Sequence, residues 1–293
     1  MCKIRITGSL ATLLPVVLPL AGCSGILAPA GPVGSADLTI LLNSLVIMLA
    51  IVIPTIAATL AVAWWFRASN TRARHLPNWS YSGRLELIIW SIPALAIFFL
   101  GGIAWIGSHQ LDPARPLATE VQPLEIDVVA LDWKWLFIYP RQGVASVNRM
   151  VAPVGVPLQL KITSASVMNV FFVPRMGSMI YAMNGMTSQL NLQADTAGDY
   201  PGLAAHFNGD GFSDMDFTLH ALSPDDFANW VATTHARGAA LDDRSYRDLL
   251  RQTQKIEPYT YSSVQPGLFA AILTQELPPG DGPDTFQHHA TEN

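Results

Sequence analysis

Two long apolar runs dominate the first third of the chain, Leu38 to Phe66 and Leu85 to Ile106. Each exceeds the roughly 20 residues that carry a helix across a hydrocarbon core, so the pattern predicts a transmembrane helix hairpin over 38–110. Pro54 and Pro93 are tolerable there because neighbouring groups can satisfy the freed carbonyls. Trp64, Trp65 and Trp105 fall near the run ends, where indoles favour the interface. Past about residue 120 the period changes. LEIDVVAL, WKWLFIY, VPLQLKIT, NVFFV, TSQLNLQA and MDFTLHAL are short runs of β-branched and aromatic residues, separated by turn residues such as Pro140, Gly155, Pro174, Gly185 and Gly198. They predict an all-β antiparallel sandwich or barrel over 120–222. From Ser223 the pattern turns helical. Ser223 suits an N-cap, Pro224 the first helical position, and Asp225 and Asp226 the first turn. A second helix is expected over 242–254, within a helical extension 223–275, and 276–293 reads as disordered.

Composition agrees with membrane segments: half the 293 residues are hydrophobic and only 13% charged. The formal net charge of -5 argues against a nucleic-acid partner. From Glu120 onward there are 19 acidic against 10 basic residues, which suits a solvated surface. The only cysteines are Cys2 and Cys23, so no thiolate site can form beyond residue 23.

Lys3 and Arg5, an apolar run to Leu20 and then small residues describe a signal peptide over 1–22. Leu20-Ala21-Gly22-Cys23 resembles the lipobox of bacterial lipoprotein precursors, which implies cleavage before Cys23 and lipid on its sulfur. Arg67, Arg72, Arg74 and Arg84 crowd the connection between the apolar runs. None lies between Ser24 and Asp37. The positive-inside rule therefore puts that connection in the cytoplasm. Residues 23–37 and the C-terminal half fall outside, in the periplasm of a bacterium with an inner membrane. Glu86, at the cytoplasmic end of the second run, is either solvated or a proton-uptake group.

The processed N-terminus, the helix hairpin and the β region together resemble subunit II of the haem–copper terminal oxidases. DWKWLFIYP, Asp132 to Pro140, looks like the aromatic signature that opens that family's cupredoxin domain, and LELIIWSIPA looks like its second-helix motif. The cytochrome c oxidase branch holds a dinuclear copper centre, CuA, in this domain. By resemblance its ligand positions fall here on Asn169, Ala204, His206, Asn208, Phe212 and Met215, of which only the methionine side chain matches. Bridging thiolates are indispensable to such a centre, and none exists here. That loss resembles the quinol oxidase branch, as do VMNVFFVPRMGSMIYAMNGM and YTYSSVQPGLF.

The resemblance implies a non-redox subunit of a proton-pumping ubiquinol oxidase, with no cofactor, metal or catalytic residue of its own. Haems, copper and ubiquinol belong to a catalytic subunit I, which this chain would brace and cap beside smaller subunits and membrane lipid, with no cytochrome c. Trp133, matching the family's electron-entry tryptophan, and Trp135 become packing and docking residues. Glu86 gains weight as the mouth of a proton channel into subunit I. The rival reading is a lipid-anchored copper carrier using Met176, Met179, Met183 and Met186, since thioethers suit Cu(I); a mononuclear site on His206, His220 and Met215 is a variant of it. A true cytochrome c oxidase subunit is a third.

Overall fold

A computed structural model describes residues 25–74, 76–280 and 282. The expected signal peptide 1–22, the lipidation site Cys23, and His288 and His289 of the tail lie outside the described residues. The chain divides into two compact units: Ala36–Asp112, and the residues before it together with those from Pro113 onward.

The first unit is built on two helices, α1 (Pro32–Trp65) and α2 (Gly83–Gln110), both long and apolar enough to cross a membrane. α1 starts six residues before the apolar run because Pro32 is pre-set for a first helical position. Within it Thr55 and Thr59 hydroxyls donate one turn back, to Ile51 O at 2.7 Å and Thr55 O at 2.8 Å, beside Pro54. Arg67 ends the helix, donating to Trp64 O at 2.8 Å with its guanidinium 4.6 Å from that indole's centre. A cation there complements the exposed carbonyls. α1 and α2 approach closely at Gly107, where an added Cβ would sit 2.7 Å from Ile40 Cδ1.

The second unit is a β-sandwich with a C-terminal extension. Its strands are β1 (Leu124–Leu131), β2 (Lys134–Tyr139), β3 (Val144–Val147), β4 (Arg149–Pro153), β5 (Leu158–Ser164), β6 (Asn169–Val173), β7 (Gly177–Ala182), β8 (Ser188–Leu192), β9 (Gly198–Ala204) and β10 (Asp216–Leu222). The extension adds α3 (Pro224–Ala236), β11 (Ala240–Leu241), α4 (Asp243–Leu249), β12 (Tyr259–Tyr261), β13 (Ser263–Val264) and α5 (Leu268–Leu273). One sheet runs β12-β3-β2-β1-β5-β8 and the other β4-β10-β9-β6-β7. β1 pairs with β5, and β4 with β10, in parallel; the other ladders of these two sheets are antiparallel.

Between the sheets the core is aromatic. Phe171 stacks on Phe217 at 5.0 Å, and Trp135 meets both edge-on at 5.4 and 5.7 Å. Such pairs add about 0.5–1.5 kcal/mol beyond their buried area. The opposite face of β1–β3 is buried as well. Val129, Leu131, Leu136 and Ile138 form a second core with Leu241, Tyr246, Leu249, Leu268, Ile272 and Leu277 of the extension.

The extension departs from the helical expectation in three ways. Tyr259-Thr260-Tyr261, rich in strand formers, becomes β12 and pairs with β3, covering that edge. The helix expected over 242–254 stops at Leu249, because Arg251 and Thr253 are drawn onto Lys134. Order continues past the start of the expected disordered tail: Leu277 is buried in the second core and Gly280 N donates to Ala165 O at 2.9 Å. Ser223 caps α3 as expected, accepting from Asp226 N at 3.1 Å.

Candidate functional site

The loop joining β9 to β10 is closed at its base by Ala204 N donating to Met215 O at 3.1 Å. β6 runs beside β9 with Phe171 opposite Ala204, and Ala205 N reaches Val170 O at 3.0 Å. This pairing carries Asn169, the first residue of β6, to the base of the loop. Asn208 Nδ2 then donates twice, to Asn169 Oδ1 and to Met215 Sδ, the latter at 3.0 Å. Asn169 is held in turn by its own Nδ2, which donates to Val167 O at 3.0 Å. All three residues and Ala204 are buried. Asn208 Oδ1 is buried without a hydrogen-bond partner, so the cluster is organised by the amide's NH2.

Trp133 roofs this cluster. Its Nε1 donates to Asn208 O at 3.3 Å, and its ring lies against Gly211, where a Cβ would overlap the indole. Its backbone is left-handed, φ 63°, a costly conformation for a bulky residue. Trp133 and Trp135 are both buried, which leaves neither ring free for docking.

Four of the six expected positions therefore come together: Asn169, Ala204, Asn208 and Met215. His206 does not join them; Phe212 borders them, its O accepting from Met215 N at 3.2 Å. His206 is exposed, edge-on to Tyr181 at 6.4 Å, and Phe212 packs edge-on against Phe207 at 5.6 Å. His220 is on β10, bonded through Nδ1 to Asp199 Oδ1 at 2.6 Å and remote from the loop. The methionines diverge: Met176 is buried in the core, whereas Met179 and Met186 are exposed.

This donor set does not fit a dinuclear copper centre. Amides, a methyl group and a thioether already satisfied by an N–H stand where thiolates and imidazoles are needed. Among the described residues, no group of three or more His, Cys, Asp or Glu is placed to hold a metal ion.

Two buried charges escaped the sequence reading. Lys134, between two tryptophans, is 2% exposed and donates to Arg251 O at 2.7 Å, Thr253 Oγ1 at 2.5 Å and Asp132 O at 3.5 Å. Burial pulls its pKa down to about 8, against the opposing pull of Asp132. The signal was a lysine inside an apolar WKW strand. On β1, burial pushes Asp127 up to about 6, with Lys161 drawing it back and Glu125 adding to the rise. Glu86 lies in the first turn of α2, where the helix's positive end favours a carboxylate.

Residues 119–222 match the family described as cytochrome c oxidase subunit II, periplasmic domain, and residues 235–280 match the COX aromatic rich motif. Two membrane-length helices ahead of these two segments define a subunit II of the haem–copper oxidase class. The chain belongs to the ubiquinol oxidase subunit 2 family. It is 48% identical over 265 residues to ubiquinol oxidase subunit 2 of Acetobacter aceti, spanning 89% of this chain and 86% of that one. It is 45% identical over 271 residues to cytochrome bo(3) ubiquinol oxidase subunit 2 of Pseudomonas aeruginosa, spanning 92% and 82%. The crystal structure of the periplasmic domain of cytochrome oxidase subunit II from Bradyrhizobium japonicum is 25% identical, covers 40% of this chain and 96% of that one, and superposes with a TM-score of 0.37.

Proposed function

We propose that this chain is the copper-free, non-redox subunit of a proton-pumping ubiquinol oxidase, which couples ubiquinol oxidation and reduction of oxygen to water to proton translocation. The observation that carries the reading is the Asn169–Asn208–Met215 cluster, which fills with amide hydrogen bonds the place where the related branch keeps copper. An electron relay has no redox centre to use there, so electrons enter from the membrane side, through haems and copper of subunit I. The β-sandwich caps that subunit on the periplasmic face of the inner membrane, and α1 and α2 brace it. Met179, Tyr181, Leu203 and Phe207 expose apolar surface on the β7–β6–β9 side, and Met176 to Ala194 contains no charged residue. Such a charge-depleted face suits the buried centre of a subunit interface.

The reading is tested on the purified complex. It is expected to consume oxygen with a short-chain ubiquinol and to leave reduced cytochrome c unoxidised; rapid cytochrome c oxidation would overturn it. Glu86 is proposed as a proton-uptake group, and Glu86→Gln is expected to slow turnover and proton uptake together. Unchanged rates would remove that role.

A further inference from the structure

The stretch ahead of α1, together with the first residues of that helix, is built into the sandwich. Ala30 is buried in the main core, with Met176 among its members. Ala30 N donates to Arg175 O and Asp195 N donates to Ala30 O, both at 2.8 Å, so the segment runs between the turn after β6 and the loop after β8. Arg175 closes over it: Nε donates to Ala28 O at 2.7 Å, and the guanidinium lies 5.0 Å from the centre of the Tyr200 ring. Tyr200 is itself fixed, its hydroxyl donating to Thr196 O at 2.8 Å. Two glycines make the approach possible. A Cβ on Gly31 would collide with Gln193 O, and one on Gly34 would lie 2.9 Å from Arg175 O.

We infer that residues 25–35 are a docked strap, clamped by Arg175, which mounts the lipid-bearing N-terminus rigidly on the β-sandwich. The inference rests on the reading of Cys23 as the lipidated first residue of the mature chain. Only Ser24 separates Cys23 from Gly25. At about 3.3–3.6 Å per residue, the Cys23 α-carbon stays within about 7 Å of that of Gly25. A free tether of the strap's length would let the lipid wander over tens of ångströms. The docked strap instead ties it to the edge of the sandwich carrying Arg175 and Asp195. The lipid then orients that edge toward the bilayer surface as well as retaining the chain there.

Hydrogen–deuterium exchange on the whole complex in lipid nanodiscs tests this, with the mass of the mature N-terminus read from the same sample. The amides of Ala28 and Ala30, which donate to Gly25 O and Arg175 O, are expected to be protected in the parent. Arg175→Ala should speed their exchange at least tenfold, with β1 and β10 unchanged. Arg175→Lys, which keeps the charge without the planar fork, should fall between. Gly31→Val should release the strap sterically with the clamp intact. A lipidated chain whose Ala28 and Ala30 amides exchange freely, or whose protection survives both Arg175→Ala and Gly31→Val, overturns the strap and leaves lipidation standing. An unmodified Cys23 overturns the mounting role whatever the exchange shows.

Discussion

The side-chain amide of Asn208 donates to the thioether of Met215 across 3.0 Å, and the same nitrogen donates to Asn169. One NH2 group thus ties the loop to its own return strand and to β6. That amide ties the base of the loop together from within the protein.

Asn208→Leu keeps the branched shape of the side chain but leaves the buried Asn169 Oδ1 without its donor. The expected cost is about 1–3 kcal/mol, read as a fall of about 2–4 °C in the thermal midpoint per kcal/mol for a unit of this size. Replacing both partners, Asn169→Val with Asn208→Leu, should cost less than the sum of the two single changes, because no polar group is then stranded. Strict additivity would show that the two amides do not act as a pair.

Lys134 joins the extension to the sandwich through Arg251 O and Thr253 Oγ1. Its folded pKa of about 8 lies below the ordinary lysine value of 10.5. Between those two values the unfolded chain holds a proton that the folded chain has released. Stability therefore rises as pH climbs from about 8 towards 10.5. Below that window the folded state bears the full cost of the buried ammonium. Lys134→Met should flatten this rise in the midpoint-versus-pH curve. Lys134→Ala should also loosen the extension, seen as faster proteolysis near Arg251 and Thr253.

The helix hairpin was legible because apolar length alone distinguishes a membrane span, and β1, β2, β5, β6, β8 and β10 were legible from their composition. β7 and β9 were not. GSMIYA and GDYPGLA carry glycine or proline, which read as turns. Pro201 is tolerated inside β9 because β6 pairs with that strand only at Leu203 and Ala204, so opposite Pro201 no ladder on that side needs its missing N–H. The second core was hidden for another reason. The continuous apolar run at Val128 to Leu131 signals burial on both faces, yet nothing local says that a segment more than a hundred residues later supplies the cover. At the site, the family motif located Asn169 and Asn208, but the bond between them spans 39 residues and has no local signature. The same motif could not show that the His206 side chain points outward.

Asp127 has the opposite sign of effect from Lys134. Its folded pKa of about 6 lies above the ordinary 3.8. Between these values the folded chain keeps a proton that the unfolded chain has lost. Stability therefore falls as pH rises from about 4 to about 6, and above that window a buried carboxylate is carried at a cost. Asp127→Asn should raise the thermal midpoint at pH 7 and remove the slope over that window. An unchanged slope between pH 4 and 6 would assign it to other carboxylates.

Gly211 and Trp133 make the tightest demand on side-chain identity in the loop. The indole occupies the space a Cβ on Gly211 would need, and the left-handed backbone at Trp133 aims the ring there. Gly211→Ala forces ring and loop apart, and overpacking of this kind costs about 1–3 kcal/mol. The displaced ring also loses its bond to Asn208 O, so the change should propagate to the amide cluster. Trp133→Leu alone should destabilise by cavity formation, about 3–5 kcal/mol for full truncation of such a ring and less for this partial one. Placed together, the two changes should be less harmful than their sum, since the smaller side chain vacates the space the new methyl enters. A double-mutant cycle on the thermal midpoint measures this coupling, and a coupling near zero would mean that the loop relaxes around the methyl without help from Trp133.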